Sequence, residues 1–356
     1  GKKEYYQFQR LVFGLNVSPF LAQLVTHTNA DKYVREFPEA VDIIKNSTYM
    51  DDAMFSVENL VEAEKRKDEL IKIWKAAGMK ATKWMTNNKE ILKTIPEEER
   101  SKMLNLEDKE SCHVKALGVN WDASTDTFGI KIEMLDQPVI TKRSFLRILA
   151  RIFDPIGLFS AYTIKGKMIL QEIWMAGVDW DQKLPDCLRD KIKNWLEELQ
   201  NLKHVCCDRV LFSMEKSEKE IHVFSDASIN AYAAVGFAVE RRDTEIRCNF
   251  IMAKTKVSPT KTVSVPRLEL LGACLGVKVA QKISKAINID LNKFIFWCDS
   301  EDVLYWISQH GKQYKPFVAN RIGFIQQITS VTQWRFVPTA LNSADLLSRG
   351  IKEKDY

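Results

Sequence analysis

Nowhere in the 356-residue chain does an uninterrupted apolar run approach the roughly 18 residues that a membrane span needs. The opening residues, Gly1-Lys2-Lys3-Glu4-Tyr5-Tyr6, carry neither the apolar run nor the cleavage site of a signal peptide. Cysteine is scarce and odd in number, seven scattered residues, which argues against a disulfide framework and for a reducing compartment. Cys206-Cys207 follows His204 without the Cys-x-x-Cys spacing of a zinc site. The five histidines are dispersed and none has a partner at ligand spacing, so each reads as structural or surface. Low-complexity tracts and repeats with a period of about 20 to 50 residues are also missing. An aspartic peptidase needs Asp-Thr-Gly or Asp-Ser-Gly, and the nearest strings, Asp122-Ala-Ser124 and Asp126-Thr-Phe128, contain neither. What is present is a folded composition, 46% hydrophobic and 28% charged. At about 150 residues per domain the length suggests two or three domains. The net charge of +5 resides entirely between His204 and Gly350, so the basic excess belongs to the C-terminal part.

Periodicity supplies the elements. Ser47 to Phe55 sets apolar flanks around two adjacent acids and reads as a hairpin with an acidic tip. Val57 to Gly78 reads as a solvent-facing amphipathic helix ended by Gly78. Val114 to Trp121 and Phe128 to Met134 read as two strands joined by a polar turn. Ser144 to Ile152 and Asp186 to Leu202 read as helices, separated by Pro155-Ile-Gly157 and an aromatic, acidic loop around Trp180. Past Cys206 the composition changes. Three strands (Ile221 to Phe224, Ala231 to Val239, Ile246 to Met252) lead to a helix from Val265 to about Ile287. Then come the strand Phe294 to Cys298, two helical stretches, the strand Trp334 to Val337 and a short helix at Ala344 to Leu347. Consecutive strands followed by alternation predict a mixed sheet, antiparallel first and parallel later. The boundary falls at about 204 to 218.

Two constellations suggest chemistry. In the first half, Tyr49-Met50-Asp51-Asp52 puts adjacent carboxylates on a hairpin tip. Their repulsion is offset by a hard divalent cation, although an Asp-Asp pair alone is as readily a polar turn. In the second half four acids stand at the ends of strands or the starts of helices. Asp226 ends Val223-Phe224-Ser225-Asp226. Glu269 lies one turn into the long helix in Pro266-Arg267-Leu268-Glu269. Asp299 follows the strand Phe294 to Cys298, and Asp345 opens the last short helix. Each acid alone reads equally as a surface charge or, for Asp345, a cap. Four together on one sheet edge need cations to neutralise them. Arg241 to Arg267 adds seven basic residues (Arg241, Arg242, Arg247, Lys254, Lys256, Lys261, Arg267) against Asp243 and Glu245. They read either as a phosphate-holding patch or as a solvated strand face.

The motif Tyr-x-Asp-Asp in an apolar hairpin resembles the catalytic hairpin of reverse transcriptases. Phe13-Gly14-Leu15 with Ser18-Pro19-Phe20 resembles the motif preceding it, and Leu117-Gly118-Val119-Asn120-Trp121 with Phe128 resembles the primer grip. The order Asp, Glu, Asp, Asp resembles ribonuclease H; the integrase relatives end in Glu. The strings Phe224-Ser-Asp-Ala-Ser228, Val265-Pro-Arg-Leu-Glu-Leu270, Trp297-Cys-Asp-Ser300, Lys315-Pro-Phe-Val-Ala-Asn-Arg321, Val337-Pro-Thr, Asn342-Ser-Ala-Asp-Leu-Leu-Ser-Arg-Gly350 and Thr141-Lys-Arg-Ser-Phe-Leu146 resemble the BEL/Pao group of LTR retrotransposons. Ser343 departs from that pattern, where proline usually precedes Ala-Asp.

The resemblance implies an α/β and α+β multidomain chain. Residues 1–134 would form the C-terminal part of a reverse transcriptase palm, 135–210 a helical thumb or connection, and 219–350 a ribonuclease H-like mixed five-stranded sheet with helices. It implies two Mg²⁺ (or Mn²⁺) per nuclease site on Asp226, Glu269, Asp299 and Asp345. Asp51 and Asp52 would serve a polymerase site whose further palm carboxylate lies before Gly1, leaving polymerisation incomplete. Nucleic-acid contacts fall to Phe13, Gly14, Tyr49, Met50, Gly118, Trp121, Ser228, Lys254, Lys256, Lys261, Arg267 and Arg321. The implied partners are an RNA–DNA hybrid, primer–template and the rest of a polyprotein, with no membrane, in a cytoplasmic virus-like particle. The alternative is a decayed or host-adopted copy that binds nucleic acid without catalysis.

Overall fold

Proline starts several helices because its missing N–H falls where a helix has no acceptor to offer. In the computed structural model α1 (Ser18–Asp31) carries Pro19 in its first turn and α2 (Pro38–Asn46) opens on Pro38. The structure describes residues 3–8, 10–12, 14–101, 113–129, 140–214 and 216–350. Two compact units divide at Cys112/His113.

In the first unit, β1 (Thr48–Tyr49) and β2 (Asp52–Ala53) pair as Thr48 with Ala53 and Tyr49 with Asp52, with Met50 at φ +55 in the two-residue turn. This is the expected hairpin. α3 (Leu60–Ala76) starts where Asn59 Oδ1 accepts the Glu62 N–H at 2.9 Å, and Gly78 at φ +70 follows its end. α4 (Lys89–Thr94) is capped the same way by Asn88. The core of α1, α2 and α3 is Ala30, Ala40, Val41, Ile44, Leu70 and Ile73, and Asn29 Nδ2 donates to Ile73 O at 2.7 Å.

The second unit opens with a small antiparallel sheet of β3 (His113–Ala116), β4 (Val119–Asp122), β5 (Thr127–Gly129) and β6 (Cys206–Asp208). The single strand expected over Val114 to Trp121 is in fact two. Leu117 at φ +49 and Gly118 at φ +87 reverse the chain between them, and an added Cβ at Gly118 would sit 2.6 Å from the Phe153 ring. Residues 130–134 of the expected second strand lie outside the described residues. The composition change near Cys206 falls inside this unit, at β6.

Three helices follow: α5 (Lys142–Arg151), begun by a capping box of Thr141 and Ser144, α6 (Ser160–Met175) and α7 (Asp186–Asn201). Their shared core includes Phe145, Phe159, Tyr162, Ile173, Ile192 and Trp195. α6 is absent from the sequence reading. It buries Ala161, Tyr162, Ile164, Gly166, Ile169 and Ile173 around most of its circumference, so no single apolar stripe marks it.

The larger sheet has the order β11-β10-β7-β8-β9. β7 (Glu218–Ala227), β8 (Ala231–Arg242) and β9 (Glu245–Val257) form an antiparallel meander. α8 (Val265–Ile287) returns the chain to β10 (Phe294–Cys298), parallel to β7, and α9 (Glu301–Ser308) and α10 (Pro316–Ile328) lead to β11 (Trp334–Phe336), parallel to β10. The short α11 (Ser343–Arg349) ends the described chain. Antiparallel first and parallel later is the mixed five-stranded sheet expected. One face packs Ile221, Val223, Ala234 and Phe296 against Ala273, Val277 and Ala280 of α8. On the other face Ala233, Val235 and Ala253 meet Ala161 of α6 and Ala344 and Leu347 of α11. Among the described residues no helix is long and apolar enough to cross a membrane.

Candidate active site

Parallel pairing sets the first two acids. β7 and β10 register Phe224 with Trp297 and Ser225 with Cys298, so Asp226 and Asp299 follow at the same level on strands about 4.8 Å apart. The Phe224 and Trp297 rings stack at 5.9 Å, and strand alternation assigns Asp226 to the face they share.

Glu269 arrives from α8. The helix approaches β7 so closely at Gly272 that an added Cβ would lie 2.7 Å from the Asp226 carbonyl oxygen. Glu269 is three residues earlier, on the same helix face. The hydroxyl of Ser300, next to Asp299, donates to Glu269 Oε2 at 2.5 Å.

α11 brings the fourth. Asn342 Nδ2 donates to Ser225 O at 3.1 Å while its Oδ1 accepts the Ala344 N–H, which starts the helix against the end of β7. One turn past Asp345, Ser348 Oγ donates to Asp226 Oδ2, and Ser228 Oγ donates to Ser348 O at 2.9 Å. Asp345 itself holds Arg349 Nε at 2.6 Å.

The electrostatics follow from this crowding. Asp226 is 6% exposed, and burial is the main reason its carboxyl is pushed up to about 6. The Ser348 bond opposes that rise, and the charges of Asp299 and Asp345 add to it. Glu269 is also raised, by burial first, with Ser300 opposing and Asp299 and Asp302 adding. Burial pushes the neighbouring Cys298 thiol up to about 12, so it stays protonated. The donors are hard oxygens, the chemistry that suits Mg²⁺ or Mn²⁺. Among the described residues, however, no group of three or more His, Cys, Asp or Glu is drawn together closely enough to hold a metal ion. The acids approach one edge of the sheet closely enough for their charges to act on one another, with Asp226, Glu269 and Asp345 each bonded to a neighbour.

The remaining candidates are spread out. Tyr49, Met50, Asp51 and Asp52 are exposed on the hairpin of the first unit, and Gly14 precedes α1 at φ +87. Phe13 lies outside the described residues. Gly118 makes the β3–β4 turn, and Trp121 Nε1 donates to Asp126 Oδ1 at 3.0 Å. The hydroxyl of Ser228 is committed to Ser348 O. The basic stretch does not gather into one patch. Arg241, Arg242 and Arg247 sit at the end of the meander away from Asp226, beside Glu220 and Glu245. Lys254 and Lys256 pair with Ala234 and Tyr232 near the Asp226 end, about 23 and 30 Å along the strand from Arg247. Lys261 is exposed in the loop before α8. Arg267 and Arg321 both lie over the Phe317 ring, at 5.3 and 3.5 Å.

Ser300, Ser348, Gly272 and Arg349 belong to the site, and sequence reasoning singled out none of them. The available signals were a serine directly after Asp299, a serine one helical turn after Asp345, and a glycine one turn after Glu269.

Residues 141–300 match the family model described as Pao retrotransposon-like RNaseH-like domain. The match begins at the Thr141 cap of α5 and includes Asp226, Glu269 and Asp299. Among solved structures, the N-terminal RNase H domain of rv2228c from Mycobacterium tuberculosis, fused to maltose binding protein, is 17% identical, with a TM-score of 0.25 over 37% of this chain and 94% of that one. The foamy viral protease-reverse transcriptase in complex with dsDNA is 17% identical, with a TM-score of 0.24 over 92% of this chain and 60% of that one. A search of the curated proteins returns no match. Residues 141–300 of the second unit are thus similar to a Pao retrotransposon-like RNaseH-like domain, and four strands of the mixed five-stranded sheet, β7 to β10, fall within the matched stretch.

Proposed function

We propose that this chain is the reverse transcriptase and ribonuclease H portion of a retrotransposon polyprotein, and that its second unit hydrolyses the RNA strand of an RNA–DNA hybrid. The observation that supports this most is the approach of four carboxylates carried by β7, α8, the end of β10 and α11 to one sheet edge, three of them (Asp226, Glu269 and Asp299) inside the stretch 141–300 that matches an RNase H-like family model. Asp226, Glu269, Asp299 and Asp345 are the residues that would hold two divalent ions. When bound, such ions supply Lewis-acid stabilisation to the attacking and leaving oxygens of an in-line displacement. The chain's own groups prepare the ligands. Ser348 and Ser300 orient one oxygen each of Asp226 and Glu269, and Arg349 fixes Asp345 at the rim. Burial favours the protonated Asp226 carboxyl, which must lose its proton to serve as a ligand, so ion binding should weaken as the pH falls toward about 6. Lys254, Lys256, Arg267 and Arg321 would contact phosphates without reading sequence. The hairpin with Asp51 and Asp52 would be that of the reverse transcriptase palm.

The purified chain, given Mg²⁺ or Mn²⁺ and a hybrid labelled on each strand in turn, should cut only the RNA. Absence of cleavage under both ions overturns the proposal. A second reading, binding without catalysis, draws on the intramolecular bonds of Asp226, Glu269 and Asp345; it requires hybrid binding with no cut strand.

A further inference from the structure

The seven residues of α11 are too few to hold a helix by themselves, yet they carry Asp345 and Ser348. One side of α11 lies on β7 and β8. The other lies on α6, where Ala161 shares a buried cluster with Ala344 and Leu347. At the end of α11, Gly350 has φ +77, and an added Cβ would stand 2.6 Å from Lys165 Cγ and 3.3 Å from Ala161 O. α6 and the loop that leads into it are in turn tied to β9 and its end at two points. The Ala253 N–H donates to Ile156 O at 2.8 Å, and Gly157, at φ +80, leaves no room for a Cβ, which would lie 2.0 Å from Ala253 O. Farther along, Gln171 Nε2 donates to Ser258 O at 2.7 Å. Behind α6, Trp195 stacks on Tyr162 at 5.1 Å and fills the space over Gly166. The helix is thus held front and back, and α11 packs beside it on the same face of the sheet.

From this geometry we infer that α6 is a working part of the acid site: it flanks α11 on the sheet face and buttresses it at the end of β7, which keeps Ser348 on Asp226 and Asp345 at the same edge. Ala161 and Gly350 are positioning residues, with no side-chain donor or ligand atom of their own. The helices between 141 and 204 then do more than link the two halves of the chain. A segment limited to the five-stranded sheet and its following helices would keep α8 and lose the support of Asp345. The inference rests on the nuclease reading for its effect on activity, but its structural part stands apart from that reading.

The test uses the full chain with Ala161→Leu, which adds bulk between α6 and α11, and Ala161→Ser as the conservative control. Hydrogen exchange is measured for the amides of α11 and α8, and hybrid cleavage is measured for kcat, KM and Mg²⁺ half-saturation. In Ala161→Leu the α11 amides should exchange about ten-fold faster while those of α8 keep wild-type rates. The kcat should fall about ten- to a hundred-fold at unchanged KM, with Mg²⁺ half-saturation raised, because a small misplacement of a reacting group is enough. Ala161→Ser should match the wild type on every readout. If α8 loses protection too, Gly350→Ala, whose methyl meets the Lys165 stem and the Ala161 carbonyl at the end of α11, is read in the same way. Wild-type exchange in α11, or faster exchange with unchanged kcat, overturns the inference. If the wild-type chain cuts no hybrid, the nuclease reading fails while the exchange rates still decide whether α6 holds α11.

Discussion

Replacing Asp226 with Asn removes a charge that the metal-free fold holds at a cost. The carboxyl rises from 3.8 to about 6, burial being the first cause and the Asp299 and Asp345 charges adding to it. A rise of that size corresponds to about 3 kcal/mol of preference for the neutral form. Between pH 4 and 6 the native state keeps a proton that the unfolded chain has released, so this group's stability is lost as pH rises through that window. Above about pH 6 the wild type bears the full cost, and Asp226→Asn bears none. The asparagine carbonyl can still accept from Ser348. In EDTA at pH 7.5 the variant should therefore melt about 6 to 12 °C higher, since 1 kcal/mol moves the transition of a domain this size by about 2 to 4 °C. At pH 4 the gap should vanish. With Mg²⁺ in excess the wild type should gain stability and the variant should not. Differential scanning fluorimetry across pH, with EDTA or Mg²⁺, reads all three. A variant that melts lower than wild type at pH 7.5 in EDTA, or a gap independent of pH, would refute the reasoning.

Gly272→Ala places a methyl 2.7 Å from the Asp226 carbonyl; overpacking of this kind costs about 1 to 3 kcal/mol, and hybrid cleavage should fall further than the urea midpoint implies. Glu240 is fully buried; burial raises its carboxyl, but the bonds from the Ser213 and Met214 N–H groups and the Ser213 and Ser217 hydroxyls outweigh that and lower it overall. Its contribution is present above the ordinary carboxylate range and lost as pH falls through the lowered value, so Glu240→Gln should cost about 1 to 3 kcal/mol at pH 7 in urea unfolding and less near pH 3. Asp51 and Asp52 are exposed side by side on the β1–β2 hairpin, and two carboxylates on one hairpin do not position primer end, nucleotide and ions together. Positioning of primer end and nucleotide contributes on the order of 7 to 11 kcal/mol to such reactions, so the chain should not extend a primer on a labelled template; extension abolished by the Asp51→Asn, Asp52→Asn pair would contradict this.

How much of this was legible in the sequence depended on local signals. The bounds of α8 were readable because Pro266 marks its start and the apolar stripe runs unbroken to Ile287. The mixed topology followed from element order alone. α6 was not readable, because its buried positions run round most of the helix and leave no single apolar stripe to set its phase. β3 and β4 merged into one expected strand because the reversal at Leu117-Gly118 is only two residues long. The four acids could be picked out by their places at element ends. Which hydroxyl reaches which carboxyl could not, since Ser348 meets Asp226 across 122 positions of chain. The basic stretch misled for the opposite reason: neighbours in sequence along an extended β9 stand at opposite ends of the sheet.

The claim that Asp226, Glu269, Asp299 and Asp345 make one metal site is tested most directly by calorimetric titration of Mn²⁺ into the full chain at pH 7.5, alongside Asp226→Asn and Asp299→Asn. The expected result is saturable binding of about two ions to the wild type, weakened at pH 5 and lost in each variant. Binding that is unchanged in both variants would contradict it.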